Sequence, residues 1–182
     1  MKLQRAIAKY LTDNIPGLYA FKDDIAFAAA GNPYPCFLVD LVSTRKRNLG
    51  TGVWDVTIDN GDDTATRVKT TKLHQVLRFT VRAVNTSAKN GNVVVVEICD
   101  RLDELLSDLC RSCSVDLVDP VSGDSVHLER VVFQGRSDLA PIEKGLPFVY
   151  QQSLSYLFVE HRFRTAQVES RFETINIESW EA

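Results

Sequence analysis

Cys110-Arg111-Ser112-Cys113 is a CxxC spacing within a chain of 182 residues that holds four cysteines. Two thiols so close in sequence suit zinc binding or thiol–disulfide exchange. No second CxxC exists, and the three histidines, His74, His127 and His161, stand singly in expected strands. The plainer reading is a helix terminus with one packed and one exposed thiol. Cys36, in an apolar strand, and Cys99, on the apolar part of a helix, read as packed thiols. A serine or cysteine nucleophile needs a base and an orienting acid that meet in space, so sequence distance alone excludes no triad. Neither a GxSxG elbow nor a phosphate-cradling GxxxxGK[ST] loop occurs, however. The paired acids Asp62-Asp63 and Asp100/Asp103/Glu104 lack the apolar surroundings that tune a carboxyl for acid–base work. A hairpin tip and a solvated helix face explain them. The expectation is no enzymatic activity, no cofactor and no metal.

The cations point instead to an interface. Arg45, Lys46 and Arg47, joined by Arg67, Lys69 and Lys72 on a neighbouring hairpin, could form a basic edge; the alternative is ordinary loop solubility. Arg78 and Arg82 lie on the outward side of the strongest strand and project the same way, where acids of a neighbour would set register. His161 and Arg162, at the end of the closing apolar run, complete the candidate subunit or partner interface. The net charge of −3 argues against a protein that coats nucleic-acid phosphates along a broad surface. No apolar run reaches the length that crosses a bilayer, and MKLQRAIAKYL lacks a signal-peptide core, so an intracellular chain is expected.

These residues need elements to position them. With 45% hydrophobic and 25% charged residues, the chain can bury one sizeable core and reads as a single domain over 1–182. Leu3, Ile7, Tyr10 and Leu11 recur at helical spacing and Ile15-Pro16-Gly17 supplies a stop, predicting a helix over 2–13. A brief strand follows at 18–21, then a central strand at 34–42, a loop in STRKRNLGTG, and a strand at 53–59 reversed by Asn60-Gly61-Asp62. Leu73, Leu77, Phe79, Val81 and Ala83 alternate with polar residues in the clearest strand. The period then changes. Val94, Val95, Ile98, Leu102, Leu105, Leu106 and Leu109 stripe one long central helix over 89–111. A turn at 119–124 leads to a strand at 126–134, a Gly135–Asp138 connection, and the closing run GLPFVYQQSLSYLFVEHRF.

In that run Phe148, Tyr150, Leu154, Tyr156 and Phe158 share one face, a strand with a dry side that is longer than a small sheet requires. The tail, VESRFETINIESWEA, reads as a further edge strand. The order of elements predicts an α+β fold, a mostly antiparallel β-sheet packed by the N-terminal helix and the central helix.

This layout resembles the tail-terminator (tail-completion) family of long-tailed bacteriophages. The resemblance rests on the opening helix ending in Ile15-Pro16-Gly17, the YPCFLV strand at 34–39 and the hairpin around 53–84. It rests also on the helix of VEICDRLDELLSDL and the closing GRSDLAPIEKGLPFVYQQSLSYLFVEHRF at 135–163. It covers most of the chain; the extension from about residue 165 and the CxxC pair depart from it. The resemblance implies a virion protein of the tail or neck, assembled in the host cytoplasm. Its subunits would form a homo-hexameric ring on the head-proximal end of the tail tube. Such a ring stops tube and sheath growth, meets the head–tail connector, and lets DNA pass without sequence-specific binding; no membrane is involved. The alternatives are another head–tail adaptor or head-completion protein, a thiol- or metal-dependent enzyme using Cys110 and Cys113, and a monomeric binding domain with no ring.

Overall fold

The first helix, α1 (Lys2–Asn14), turns Leu3, Ala6, Ile7 and Leu11 to one side, a three-and-four spacing that buries all of them. The computed structural model describes residues 2–31, 33–48, 56–59, 64–85, 90–111, 113–142 and 149–169. After α1 come β1 (Tyr19–Phe21), α2 (Asp24–Ala29), β2 (Cys36–Asn48), β3 (Val56–Asp59), β4 (Thr64–Val84) and α3 (Gly91–Asp108). The chain continues with β5 (Val115–Val118), β6 (Ser125–Arg136), β7 (Ala140–Pro141) and β8 (Val149–Glu169). The strands form a mixed sheet in the order β1-β2-β4-β8-β6-β5, with β3 on β4 and β7 on β8. β1 runs parallel to β2, whereas β3–β4, β5–β6, β6–β8 and β7–β8 are antiparallel. The fold is α+β.

By contacts the chain groups into two compact units, Met1–Arg47 with Lys72–Arg162, and Asn48–Thr71 with Phe163–Ala182. In the second, β3 pairs with the start of β4, Val56 opposite Val68 and Asp59 opposite Ala65. The first holds the core. Val95, Ile98, Cys99, Leu102 and Leu106 of α3 and the buried stripe of α1 lie in one cluster with Phe37, Val39, Leu77, Phe79, Val81, Leu128, Leu154, Tyr156 and Phe158. Phe79 is its hub, with ring centroids 6.3 Å from Phe37, 6.3 Å from Tyr156 and 6.2 Å from Phe158. Each such side chain contributes about 1.5–3 kcal/mol by leaving water, so packing sustains α3 despite its valine-rich first turn.

A smaller cluster of Phe27, Cys36 and Leu38, with Phe21 and Tyr34 against it, places α2 over the alternate residues of β1 and β2. Asp23 caps α2, its carboxylate accepting from the Ala26 N–H at 2.8 Å. This helix escaped the sequence reading because six residues are too few to display a period.

Three boundaries also differ from expectation. Residues 43–48, read as loop from their charge, continue β2; Ser43 to Lys46 are exposed on both faces, and strand pairing uses the backbone N–H and C=O whatever the side chains carry. Gly135 and Arg136, read as a connection, belong to β6 and pair with Ser155 and Leu154. Short β5 and β7 were not anticipated, being four and two residues long. The expected Asn60-Gly61-Asp62 turn and the tail beyond residue 169 lie outside the described residues.

Candidate interaction surface

The wet side of the sheet carries Arg78, Arg82 and His161 of the expected interface residues, together with Lys72. Alternation along β4 sends Leu73, Gln75, Leu77, Phe79, Val81 and Ala83 into the core side, where all are buried. Lys72, His74, Arg78, Thr80 and Arg82 therefore take the other face. On β8 Gln152, Leu154, Tyr156, Phe158 and Glu160 are buried at the core-side parity, and Val149 and Val159 are buried at the other, which leaves Ser153, Ser155 and His161 beside the wet residues of β4.

Of the expected cations, several are engaged within the chain. Arg82 pairs with Asp24 of α2 and stands 5.9 Å from the centroid of the Phe27 ring. Its side chain is only 17% exposed, so it anchors α2 to the sheet instead of projecting toward a neighbour. His161 Nε2 lies 2.5 Å from Glu129 Oε2, and Lys72 reaches the same carboxylate at 2.7 Å. Lys72 first, and His161 second, hold the Glu129 carboxyl below its usual range. His127, opposite His161 in the β6–β8 ladder, packs edge to face on it at 5.7 Å and meets Asp116 at 2.6 Å. Arg162 donates to Glu160 Oε1 at 2.5 Å. Glu160 is buried and also accepts from buried Gln75 at 2.5 Å. That buried polar pair was legible in hindsight, because Gln75 and Glu160 sit at the parity of the apolar positions around them.

Arg45 and Lys46 are exposed on β2. Arg47 lies in β2, and Arg67 and Lys69 in β4; their side chains fall outside the described part. Arg45–Arg47 and Arg67/Lys69 belong to different compact units.

Arg78 is different. It is exposed, forms no ion pair among the described residues, and lines a recess of about 360 Å³ with Gln134, Gly135, Arg136, Ser137, Ser153 and Ser155. The recess arises from a β-bulge: the register of β6 on β8 slips between Phe133 and Gly135, leaving Gln134 without an opposite number. Its wall is fixed by Ser137, whose N–H donates to the Ser153 carbonyl at 2.8 Å and whose hydroxyl accepts from the Ser153 N–H at 2.9 Å. Ser153 in turn bonds Thr80 at 3.0 Å. Arg136 points its guanidinium elsewhere, to Asp100 at 2.5 Å and Gln152 at 2.8 Å. A guanidinium among hydroxyls is chemistry that receives a carboxylate or another oxyanion.

Another ion pair escaped the sequence reading. Arg5 of α1 donates twice to the fully buried Asp119, at 2.8 and 2.5 Å, and Ser122 donates to the same carboxylate at 2.7 Å. Arg5 foremost, with Ser122, holds the Asp119 carboxyl far below the usual range. Sequence showed the 119–124 turn but not its tether to a helix more than a hundred residues away.

Cys110 lacks the setting of an activated nucleophile. Burial raises the Cys110 thiol, whose Sγ donates weakly to the Leu128 carbonyl at 3.8 Å, and Cys113 is exposed. A raised thiol carries less thiolate at neutral pH, the reverse of an activated nucleophile. Among the described residues no group of three or more His, Cys, Asp and Glu could hold a metal ion, and no helix is long and apolar enough to cross a membrane. No protein-family model matches the chain, and no curated protein shows a significant match to it.

Proposed function

We propose that this chain is a structural ring subunit of the tail-terminator kind, which caps the head-proximal end of a phage tail tube and joins it to the head connector. One observation carries the reading: β4 and β8 each run 21 residues. At ~3.3 Å per residue each spans roughly 70 Å, whereas strands of about 5–6 residues suffice for a typical sheet. Among the described residues, full burial begins only at Leu73 on β4 and ends at Glu160 on β8. Beyond the core β4 already pairs with β3, but the β6 ladder of β8 ends at His161, and among the described residues the rest of β8 has no β6 neighbour; such an edge favours contact with another chain. In a closed ring every subunit presents two different complementary faces, and a durable contact buries roughly 1,600 Å². The Arg78 recess, open and ready for an acid, is the expected wet-face contact of this ring.

The partners under this reading are further copies of the chain, the tail tube and its sheath, and the head–tail connector, with DNA threading the ring without base readout. The test is imaging. Purified protein should form six-fold annuli, alone or when tail tubes are added, and should cap the tubes at one end. Arg78→Glu should weaken annulus formation, less so at high salt, where the acid it repels is screened. A lone globule that ignores tubes would defeat the proposal. Binding to emptied connectors but not to tubes would assign the chain to head completion instead.

A further inference from the structure

Between α1 and β1 lies a groove of about 680 Å³, its walls formed by Gln4, Arg5, Ala8, Lys9 and Thr12 of α1, the stretch Leu18–Lys22, Val39 and Pro120. β1 is the terminal strand of the sheet order. In its parallel ladder with β2, the Tyr19 N–H donates to the Pro35 carbonyl, and Tyr19 and Phe21 stand opposite Cys36 and Leu38. Parallel strands use alternate residues for each neighbour, so the N–H and C=O of Ala20 face away from β2. Ala20 packs its side chain toward the main core. The groove therefore joins an apolar floor to a strand edge that no other described strand pairs, the two features that accept an extended chain by strand addition.

Its charge narrows the occupant. The lining includes Arg5, Lys9 and Lys22 and no acid. Arg5 is committed to Asp119, but Lys9 and Lys22 are held only by exposed or distant partners, Asp13 at 2.9 Å and Asp23 at 3.9 Å. An occupant must supply apolar side chains, β-forming backbone and negative charge. This chain contains such a segment. Residues 172–181, FETINIESWE, combine Phe172, Ile175, Ile177 and Trp180 with Glu173, Glu178 and Glu181, and hold no base. The β-branched residues Thr174, Ile175 and Ile177 favour extended backbone.

We infer that the α1–β1 groove receives residues 172–181 of a second copy of this chain as an added strand along β1. The contact is heterologous, groove of one copy to segment of the next, and so propagates from copy to copy. It goes beyond the ring reading and does not need it, since a head-to-tail chain of copies forms whether or not it closes at six.

The test uses full-length chains in sedimentation velocity over a concentration series. Wild type should self-associate. Ile177→Asp removes an apolar contact of the segment, and Lys9→Glu with Lys22→Glu reverses the rim of the groove; each should weaken association about tenfold or more. Mixed one to one, the two variants should regain a heterologous pair, because one retains a sound groove and the other a sound segment. A charge swap, Glu173→Lys with Glu178→Lys in the groove-reversed chain, should restore self-association and guards against a variant that merely fails to fold. Wild type that stays monomeric overturns the inference. So does Ile177→Asp protein that associates like wild type, or a charge swap that rescues nothing. Six-fold annuli that persist in Ile177→Asp protein would sink the groove contact and leave the ring reading standing.

Discussion

Gly91 opens α3, and replacing it sets two rules against each other. Helix propensity ranks alanine above glycine by up to about 1 kcal/mol, so local reasoning expects Gly91→Ala to stabilise. The tertiary structure expects the reverse. A Cβ at this position would stand 2.8 Å from the Asn85 nitrogen, 2.8 Å from the Val84 carbonyl carbon and 2.9 Å from its oxygen, and all are backbone atoms at the end of β4. Contact between such atoms is comfortable only near ~3.5–4 Å, so the start of α3 or the end of β4 must shift. The Gly91 N–H also donates to Asn85 Oδ1 at 2.9 Å, and that shift would stretch the bond. Overpacking of this kind costs about 1–3 kcal/mol, and against a propensity gain of at most about 1 kcal/mol it leaves a net loss of up to ~2 kcal/mol. For a chain of this length that corresponds to a drop in Tm of up to roughly 8 °C. The assay is thermal unfolding followed by circular dichroism, with the exposed Asn92→Ala as a neighbouring control expected to stay level or rise. A Gly91→Ala protein that melts higher than wild type would refute the reasoning.

Arg82→Ala should lower stability by about 1 kcal/mol in urea, through loss of an ion pair to the exposed Asp24 and a cation–π contact, while leaving self-association unchanged; an assembly defect at unchanged stability would contradict its assignment to the α2 anchor. The Asp119 carboxyl is held low by Arg5, so its contribution is present above the ordinary carboxylate range near ~4 and is lost as pH falls through the depressed folded value. Asp119→Asn should therefore flatten the acid side of a Tm–pH profile, and an unaltered acid slope would count against the buried pair. In a thiol titration of native protein, exposed Cys113 should react first and Cys110 slowly. Cys36 and Cys99, whose burial pushes their thiols up to about 12, should react only on unfolding. Rapid modification of all the thiols without denaturant would show that the core is looser than described.

The sequence by itself determined the periods, and with them the elements that own a dry face. The stripe on α1 buries Leu3, Ile7 and Leu11, the stripe on α3 buries Val95, Ile98, Leu102, Leu106 and Leu109, and the alternation along β4 and β8 buries Leu73, Leu77, Phe79, Val81, Ala83, Leu154, Tyr156 and Phe158, with Tyr10, Val94, Leu105 and Tyr150 partly buried against the same core. This follows because an amphipathic pattern can be satisfied by only one orientation toward a core. Where the pattern is polar or short, the sequence left the answer open, and β2 beyond Val42, α2 and β5 came from their neighbours. Only the tertiary structure decided what each cation does. Arg78 and Arg82 share a face and a residue type, yet Arg82 is closed off by Asp24 and Phe27 while Arg78 remains open beside the β6 bulge. The pairing of Arg5 with Asp119 likewise joins residues 114 positions apart. Alternation tells which side of a strand a residue takes, but ion pairs form through short distances in space, and those are set by how the elements pack.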